Sequence, residues 1–222
     1  MISLLPNLLA VILGLAAILF ISAGRLDWIQ DWAFVIAFGG FLIFYGLWVL
    51  HNDPGQVNER SRVGQNTKSW DKVIIAAYTI FLVGMLVLAG LDAGRFRWAP
   101  APLTFQILGW LGAAFAGFLV FWTVSVNTFL SRTVRIQYDR GQRVIDSGPY
   151  RRVPHPMYLG VIVLMVSIPL LLGSLWALIP GTLIGILFTI RTALEDRTLV
   201  QELPGYSEYT NRVRYRLIPG IW

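Results

Sequence analysis

Residues 148–160 read Gly-Pro-Tyr-Arg-Arg-Val-Pro-His-Pro-Met-Tyr-Leu-Gly, and a long apolar tract separates them from Arg191-Thr192-Ala193-Leu194-Glu195-Asp196-Arg197. These two stretches hold the side chains with the greatest chemical capacity in the chain. His155 lies between Pro154 and Pro156, which restrict the backbone and so the direction of the imidazole. Such a histidine can serve as an acid or a base. Arg191 can grip a carboxylate with two parallel hydrogen bonds, and Glu195 can hold an ammonium group or take a proton. Arg191 and Glu195 are four residues apart, and Thr198 and Glu202 continue the same helical face. The plain reading of that stripe is a solvated ion pair on a helix leaving a membrane. A lone histidine, likewise, is more often an interfacial residue than a catalyst. The sharper reading is a polar stripe facing a pocket, because ionisable groups at the edge of a span tend to face protein or a cavity. His51 has no such company and reads as a helix-end residue.

The elements that must position these groups are apolar helices. Hydrophobic residues make up 56% of the 222 residues and charged ones only 14%, whereas a soluble domain carries about a quarter charged residues. The chain therefore reads as an integral membrane protein. Spans of about 20 apolar residues are expected at 2–22, 32–50, 73–91 and 103–130, with Trp28 and Trp32 as interfacial anchors. No basic residue precedes the first, so it reads as an uncleaved span. His51-Asn52-Asp53-Pro54-Gly55 is expected to end the second and open a polar loop to Lys72. The apolar run 157–190 is too long for one span and is broken at Gly173-Ser174 into a tight hairpin, with Pro169 a kink and Pro180 near the start of the return helix. That helix continues to about Glu202, and a polar, aromatic, basic tail follows.

Charge placement tests this division. With six spans, the loop 51–72, the loop 131–156 and the tail with the end of the return helix carry four, six and five Lys or Arg, 15 of the 18. Only Arg25, Arg95 and Arg97 fall on the other side. The positive-inside bias then puts both termini in the cytoplasm, as expected for a multi-pass protein of the bacterial inner membrane. The basic loops answer to topology and anionic headgroups rather than to nucleic acid, and no protein partner is inferred. With no Cys and only two His, neither a disulfide nor a metal site is expected. The expected fold is all-α, with six transmembrane helices whose last two form the hairpin. Residues 1–130 would be a four-span scaffold and 131–222 a loop, hairpin and tail closing over a pocket.

Gly148-Pro149-Tyr150-Arg151, His155-Pro156-Met157-Tyr158-Leu159-Gly160 and Arg191-x-x-x-Glu195-Asp196-Arg197, with Leu203-Pro204-Gly205-Tyr206 and Tyr209 in the tail, together resemble the isoprenylcysteine carboxyl methyltransferase family of membrane methyltransferases. Phospholipid methyltransferases share the same C-terminal core. The resemblance covers about residues 130–222. It implies S-adenosylmethionine as cofactor, without a Rossmann domain, and a lipophilic or lipid acceptor. It further implies Arg191, Glu195 and His155 as catalytic residues. Tyr150, His155, Tyr158, Gly160, Glu195, Tyr206 and Tyr209 would form the cofactor pocket. Two positions depart from the family pattern: Pro154 stands where Arg is usual, and Glu195-Asp196 where a Glu pair is usual. Arg151 or Arg152 is expected to supply the missing cation. Sterol reductases, which use a nicotinamide cofactor, also resemble this region but are longer; a non-catalytic lipid binder is the third alternative.

Overall fold

The computed structural model describes residues 4–61 and 67–222; the opening of the first expected span and part of the 51–72 loop, including Arg62, lie outside the described residues. Within them the chain is helical, with eight α-helices in the order α1 (Leu4–Ala23), α2 (Ile29–Asn52), α3 (Pro54–Ser61), α4 (Ser69–Ala89), α5 (Leu103–Val126), α6 (Pro156–Leu172), α7 (Leu178–Glu202) and α8 (Tyr206–Arg212). A π-helical turn, Gly90–Phe96, extends α4. Five segments are long and apolar enough to cross a membrane: Leu5–Ala23, Ile29–Asn52, Ser69–Phe96, Leu103–Val126 and Leu178–Glu202. The sixth apolar helix, α6, is shorter, at 17 residues. This is the architecture of a multi-pass membrane protein. Its outer surface agrees: Ile21, Leu13, Ile36, Ile80, Leu111 and Phe118 are all exposed, a band that water would not tolerate.

The core is built where helices meet, from Leu19, Phe34, Met85, Met165, Ile168, Leu171, Ile184 and Phe188 with their neighbours. Trp28, expected as an interfacial anchor, is buried in this core, whereas Trp32 is exposed and donates its indole N–H to the Leu26 carbonyl (2.7 Å).

At the ends of α2 and α5 the departure from the expectation has a local reason. The stretch after Asn52 starts a new helix instead of a loop. Asp53 caps α3 by accepting the Gln56 N–H on Oδ1 (3.0 Å), and Pro54 occupies the first helical position, where its missing N–H costs nothing. Helix α5 stops at Val126 because the Asn127 side chain takes over: Oδ1 accepts the Phe129 N–H (2.9 Å) and Nδ2 donates to the Tyr150 hydroxyl (2.7 Å).

The break between α6 and α7 falls at Gly173, in the left-handed conformation (φ 86). Ser174 N–H bonds to the Pro169 carbonyl (2.9 Å) and Gly173 N–H to that of Leu170 (3.0 Å), a Schellman cap. The turn is pinned to the end of α4 by Asp92, whose side chain is fully buried. Asp92 Oδ2 accepts the Ser174 hydroxyl (2.6 Å), and Oδ1 accepts the Ala99 N–H (2.7 Å).

Helices α5 and α6 approach closely through glycine, as membrane helices do when packing rather than hydrophobicity must hold them. A Cβ at Gly109 would stand 2.5 Å from the Leu171 nitrogen and 2.9 Å from the Ser167 carbonyl oxygen, both α6 backbone atoms that cannot yield. Gly84, by contrast, faces open space. Gly109→Ala should therefore destabilise the folded protein by about 1–3 kcal/mol through overpacking. Gly84→Ala should be neutral or slightly favourable, as Ala is the better helix former. Thermal unfolding of the two variants in detergent checks this, and equal midpoints would show that α5 and α6 are not so closely packed.

Candidate functional site

At the end of the bundle where α5 and α7 finish and α6 begins, a groove of about 870 Å³, counted out to its open mouth, lies between the 127–158 segment, α7 and the tail. Tyr150, His155, Tyr158, Glu195, Tyr206 and Tyr209 all line it. Six of the eight residues singled out on the sequence thus share one cavity. The other two, Arg191 and Gly160, do not line it.

His155 is the residue just before α6, whose first position is Pro156. It is 5% exposed. Its Nε2 lies 3.3 Å from both Asp196 Oδ1 and the Tyr206 hydroxyl oxygen, and its ring lies parallel to that of Tyr158 at 5.8 Å. Tyr206 donates to Asp196 Oδ1 (2.9 Å), and Arg216 Nε donates to Asp196 Oδ2 (2.8 Å). One carboxylate of α7 thereby fixes the histidine, α8 and the C-terminal tail together. Tyr206, Tyr209, Leu203 and Ile136 form a second small apolar core beneath them.

Glu195, the preceding residue, is turned differently. Its carboxylate accepts the Tyr158 hydroxyl. Adjacent residues on a helix point about 100° apart, so Glu195 addresses the groove while Asp196 addresses the tail. Tyr209 donates to the Tyr150 carbonyl (2.7 Å), which seats the Gly148–Arg151 turn against α8. Burial pushes the phenols of Tyr150, Tyr206 and Tyr209 above their ordinary range, so they remain neutral hydroxyls.

Arg191 sits behind this wall. Its Nε is 2.8 Å from Asp71 Oδ1, and its Nη2 is 3.2 Å from Asp71 Oδ2 and donates to the Arg132 carbonyl (2.9 Å). Its partner is an acid on α4, 120 residues away, rather than the Glu195 suggested by four-residue spacing. The guanidinium also faces the rings of Tyr158 (5.3 Å) and Phe188 (5.7 Å). Asp71 in turn accepts the Val134 N–H (2.8 Å). Gly160 faces α5: a Cβ there would meet Val120 Cγ2 at 2.9 Å and the Ala116 carbonyl oxygen at 3.4 Å. Thr198 bonds back to the Leu194 carbonyl (3.0 Å), and Glu202 pairs with Lys68 (2.6 Å). Arg151 and Arg152 are exposed and do not line the groove, so neither replaces the cation absent at Pro154. His51 is exposed on α2.

Three residues not singled out as site residues on the sequence hold the site in place: Asp71, Asn127 and Arg216. The only local signal for Asp71 is an acid in the first turn of an apolar helix, which ordinary helix-dipole preference also explains.

Fold and groove together define a helical, multi-pass membrane protein with a polar, tyrosine-rich cavity at one end of the bundle. Residues 104–204 match the phospholipid methyltransferase family, which includes the isoprenylcysteine carboxyl methyltransferases. The match runs from α5 to just past α7 and contains Tyr150, His155, Tyr158 and Glu195. No curated protein matches the chain.

Arg191 and Asp71 have side chains 9% and 0% exposed. Removing either partner of such a buried pair leaves an uncompensated charge, at a cost of about 3–5 kcal/mol. Arg191→Ala and Asp71→Ala should each lower the unfolding midpoint sharply, and the double variant should lose clearly less than the sum of the two. Additive losses would separate the two side chains. A fully stable Arg191→Ala protein would assign the arginine to ligand contact alone.

Proposed function

We propose that the protein is a six-pass integral membrane methyltransferase, both termini cytoplasmic, that uses S-adenosylmethionine and acts on a lipophilic, membrane-partitioned acceptor. The observation that carries this reading is the convergence of His155, Tyr158, Glu195, Tyr150, Tyr206 and Tyr209 on one groove at the edge of an apolar bundle.

The side chains present suit that cofactor. Glu195 offers a carboxylate to the methionyl ammonium, and aromatic faces, Tyr158 foremost, suit a sulfonium. Neutral phenols and the His155 imidazole complete a lining of hydrogen-bond donors and acceptors. When bound, the cofactor supplies an electrophilic methyl group. The protein's own contribution is alignment of the acceptor and exclusion of water. Met157, Leu130 and Phe129 give the groove an apolar side, fitting an acceptor that enters from the lipid while the soluble cofactor enters from the cytoplasm.

The acceptor's reacting group is constrained by what lies in reach. Arg191, which could have oriented a carboxylate, is engaged by Asp71 and the Arg132 carbonyl. Arg135 is engaged by Glu59 through two hydrogen bonds (2.8 and 2.7 Å). A carboxylate acceptor would have to meet the exposed Arg143 at the rim. An amine would need a base instead, and with Glu195 given to the cofactor's ammonium His155 is the one in the groove to take its proton. In this reading Arg191 is a positioning residue that backs Tyr158, and Gly160 contributes by letting α6 lie against α5.

The test is thermal unfolding of the purified protein in detergent. S-adenosylhomocysteine should raise the midpoint and NADP should not; a ligand at about 100 times its Kd adds about 2.7 kcal/mol. Glu195→Ala should lose that gain while His51→Ala keeps it. Stabilisation by NADP instead would favour a reductase, stabilisation by neither a non-catalytic lipid binder, and an unchanged gain in Glu195→Ala would move the cofactor away from this carboxylate.

A further inference from the structure

A second cavity, about 970 Å³ counted out to its mouth, lies at the opposite end of the bundle. It opens between the α1–α2 turn, the π-helical end of α4, the start of α5 and the end of α6. Arg25, Asp27, Gln30, Arg97 and Gln106 are its polar lining, and Trp28, Ile29 and Leu172 lie on its apolar side. Nothing in the methyltransferase reading uses it.

Arg97 is the unusual member. Among the described residues it is the one non-glycine with positive φ (54), in the left-handed region. It terminates the π-helical turn, its N–H donating to the Asp92 carbonyl (2.6 Å). Glycine or asparagine is the residue that such a cap ordinarily takes. A long β-carbon-bearing side chain there is strained, and strain of this kind persists where function needs it. The strain aims no fold-holding contact: Arg97 is exposed and has no acidic partner among the described residues. Arg25, the other cation of the cavity, is already neutralised by Asp27 through two hydrogen bonds (2.7 and 2.9 Å). The net charge of the lining therefore comes from Arg97.

Its depth is marked by its neighbours. Phe96 and Trp98, on either side, stack on each other at 4.9 Å and are 52% and 56% exposed. Trp176 and Trp32, at the same end of the bundle, are also exposed. Exposed aromatic rings at one end of a membrane bundle lie at the headgroup level, which is where lipid phosphates are. Arginine is the side chain best shaped to grip a phosphate, and the amides of Gln30 and Gln106 stand at the same cavity.

We infer that this cavity binds the phosphate of an anionic lipid headgroup from the leaflet opposite the candidate active site, with Arg97 as the principal contact. The ligand is a structural lipid, distinct from any methyl acceptor, and the inference does not depend on the enzymatic reading.

Full-length protein in detergent, titrated with short-chain phosphatidylglycerol, the matching phosphatidylcholine and inorganic phosphate, tests it by thermal unfolding. Phosphatidylglycerol should raise the midpoint of the unsubstituted protein more than phosphatidylcholine does, and inorganic phosphate should do little. Arg97→Gly should raise the lipid-free midpoint, because the strained conformation suits glycine, yet weaken phosphatidylglycerol by about tenfold, the loss of one charge-assisted contact. Arg97→Lys should keep most of the lipid response. An unaltered phosphatidylglycerol response in Arg97→Gly, an equal response to inorganic phosphate, or a lowered lipid-free midpoint in Arg97→Gly would each overturn the assignment. The first would remove Arg97 from the site, the second would make the ligand a free anion, and the third would make the arginine a fold contact.

Discussion

The ion pair between Asp71 and Arg191 is the contact on which the candidate site depends. Segment 127–155 is irregular and lies against the end of an apolar bundle, where backbone groups find little water and must find partners in the protein. Asp71 reaches across from α4 to take the Val134 N–H, and Arg191 reaches from α7 to the Arg132 carbonyl. Each charge is buried, so each can exist only because the other is there. The pair draws the 131–135 stretch onto the helices and makes it one wall of the groove. From the other side it backs the Tyr158 ring, which presents its hydroxyl to Glu195. Helix packing alone would leave that wall unattached.

The two ends of the bundle solve the same problem with the same device. At the far end a single buried carboxylate, Asp92, binds the α6–α7 turn to the close of α4 and accepts both side-chain and main-chain donors. At the near end Asp196 binds His155, Tyr206 and Arg216. In both places a short acid satisfies donors from segments far apart in the chain, where a hydrophobic contact would leave those donors unmet. The difference lies in what is left over. Around Asp92 the donors and acceptors are used up within the turn, whereas beside Asp196 the preceding residue, Glu195, faces a cavity.

What could be read in the sequence follows from the range of the interactions involved. The apolar helices were legible because length and hydrophobicity are local, and so was the break at Gly173, whose cap needs only residues 169–174. The membership of the groove was legible where motif residues lie in it: Tyr150, His155, Tyr158, Glu195, Tyr206 and Tyr209. The helix at Pro54–Ser61 was carried by a local signal that the helix-breaking reputation of Asp-Pro obscured. The partner of Arg191 was hidden for the opposite reason. Four-residue spacing pairs it with Glu195, but in a low-dielectric interior a fully buried acid from another helix is the stronger partner, and nothing near Arg191 in sequence announces Asp71. Gly160 lies only two residues from Tyr158, yet that step turns it from the groove to α5.

The adjacent acids of α7 are neighbours in sequence with different surroundings. The family that the sequence resembles usually has a Glu pair where this chain has Glu195 and Asp196. The two positions project in directions about 100° apart, so the two carboxylates start out toward different neighbours. Here the longer side chain extends into the groove and meets Tyr158. The shorter one stays close to the helix, where Tyr206 at 2.9 Å and Arg216 at 2.8 Å come to it. An extra methylene at 196 would push its carboxylate outward against the tail that it now holds. The exchange of Glu for Asp at this position is thus the form expected of an acid that fastens the C-terminal segment, and it leaves Glu195 as the acid of the pair that faces the groove.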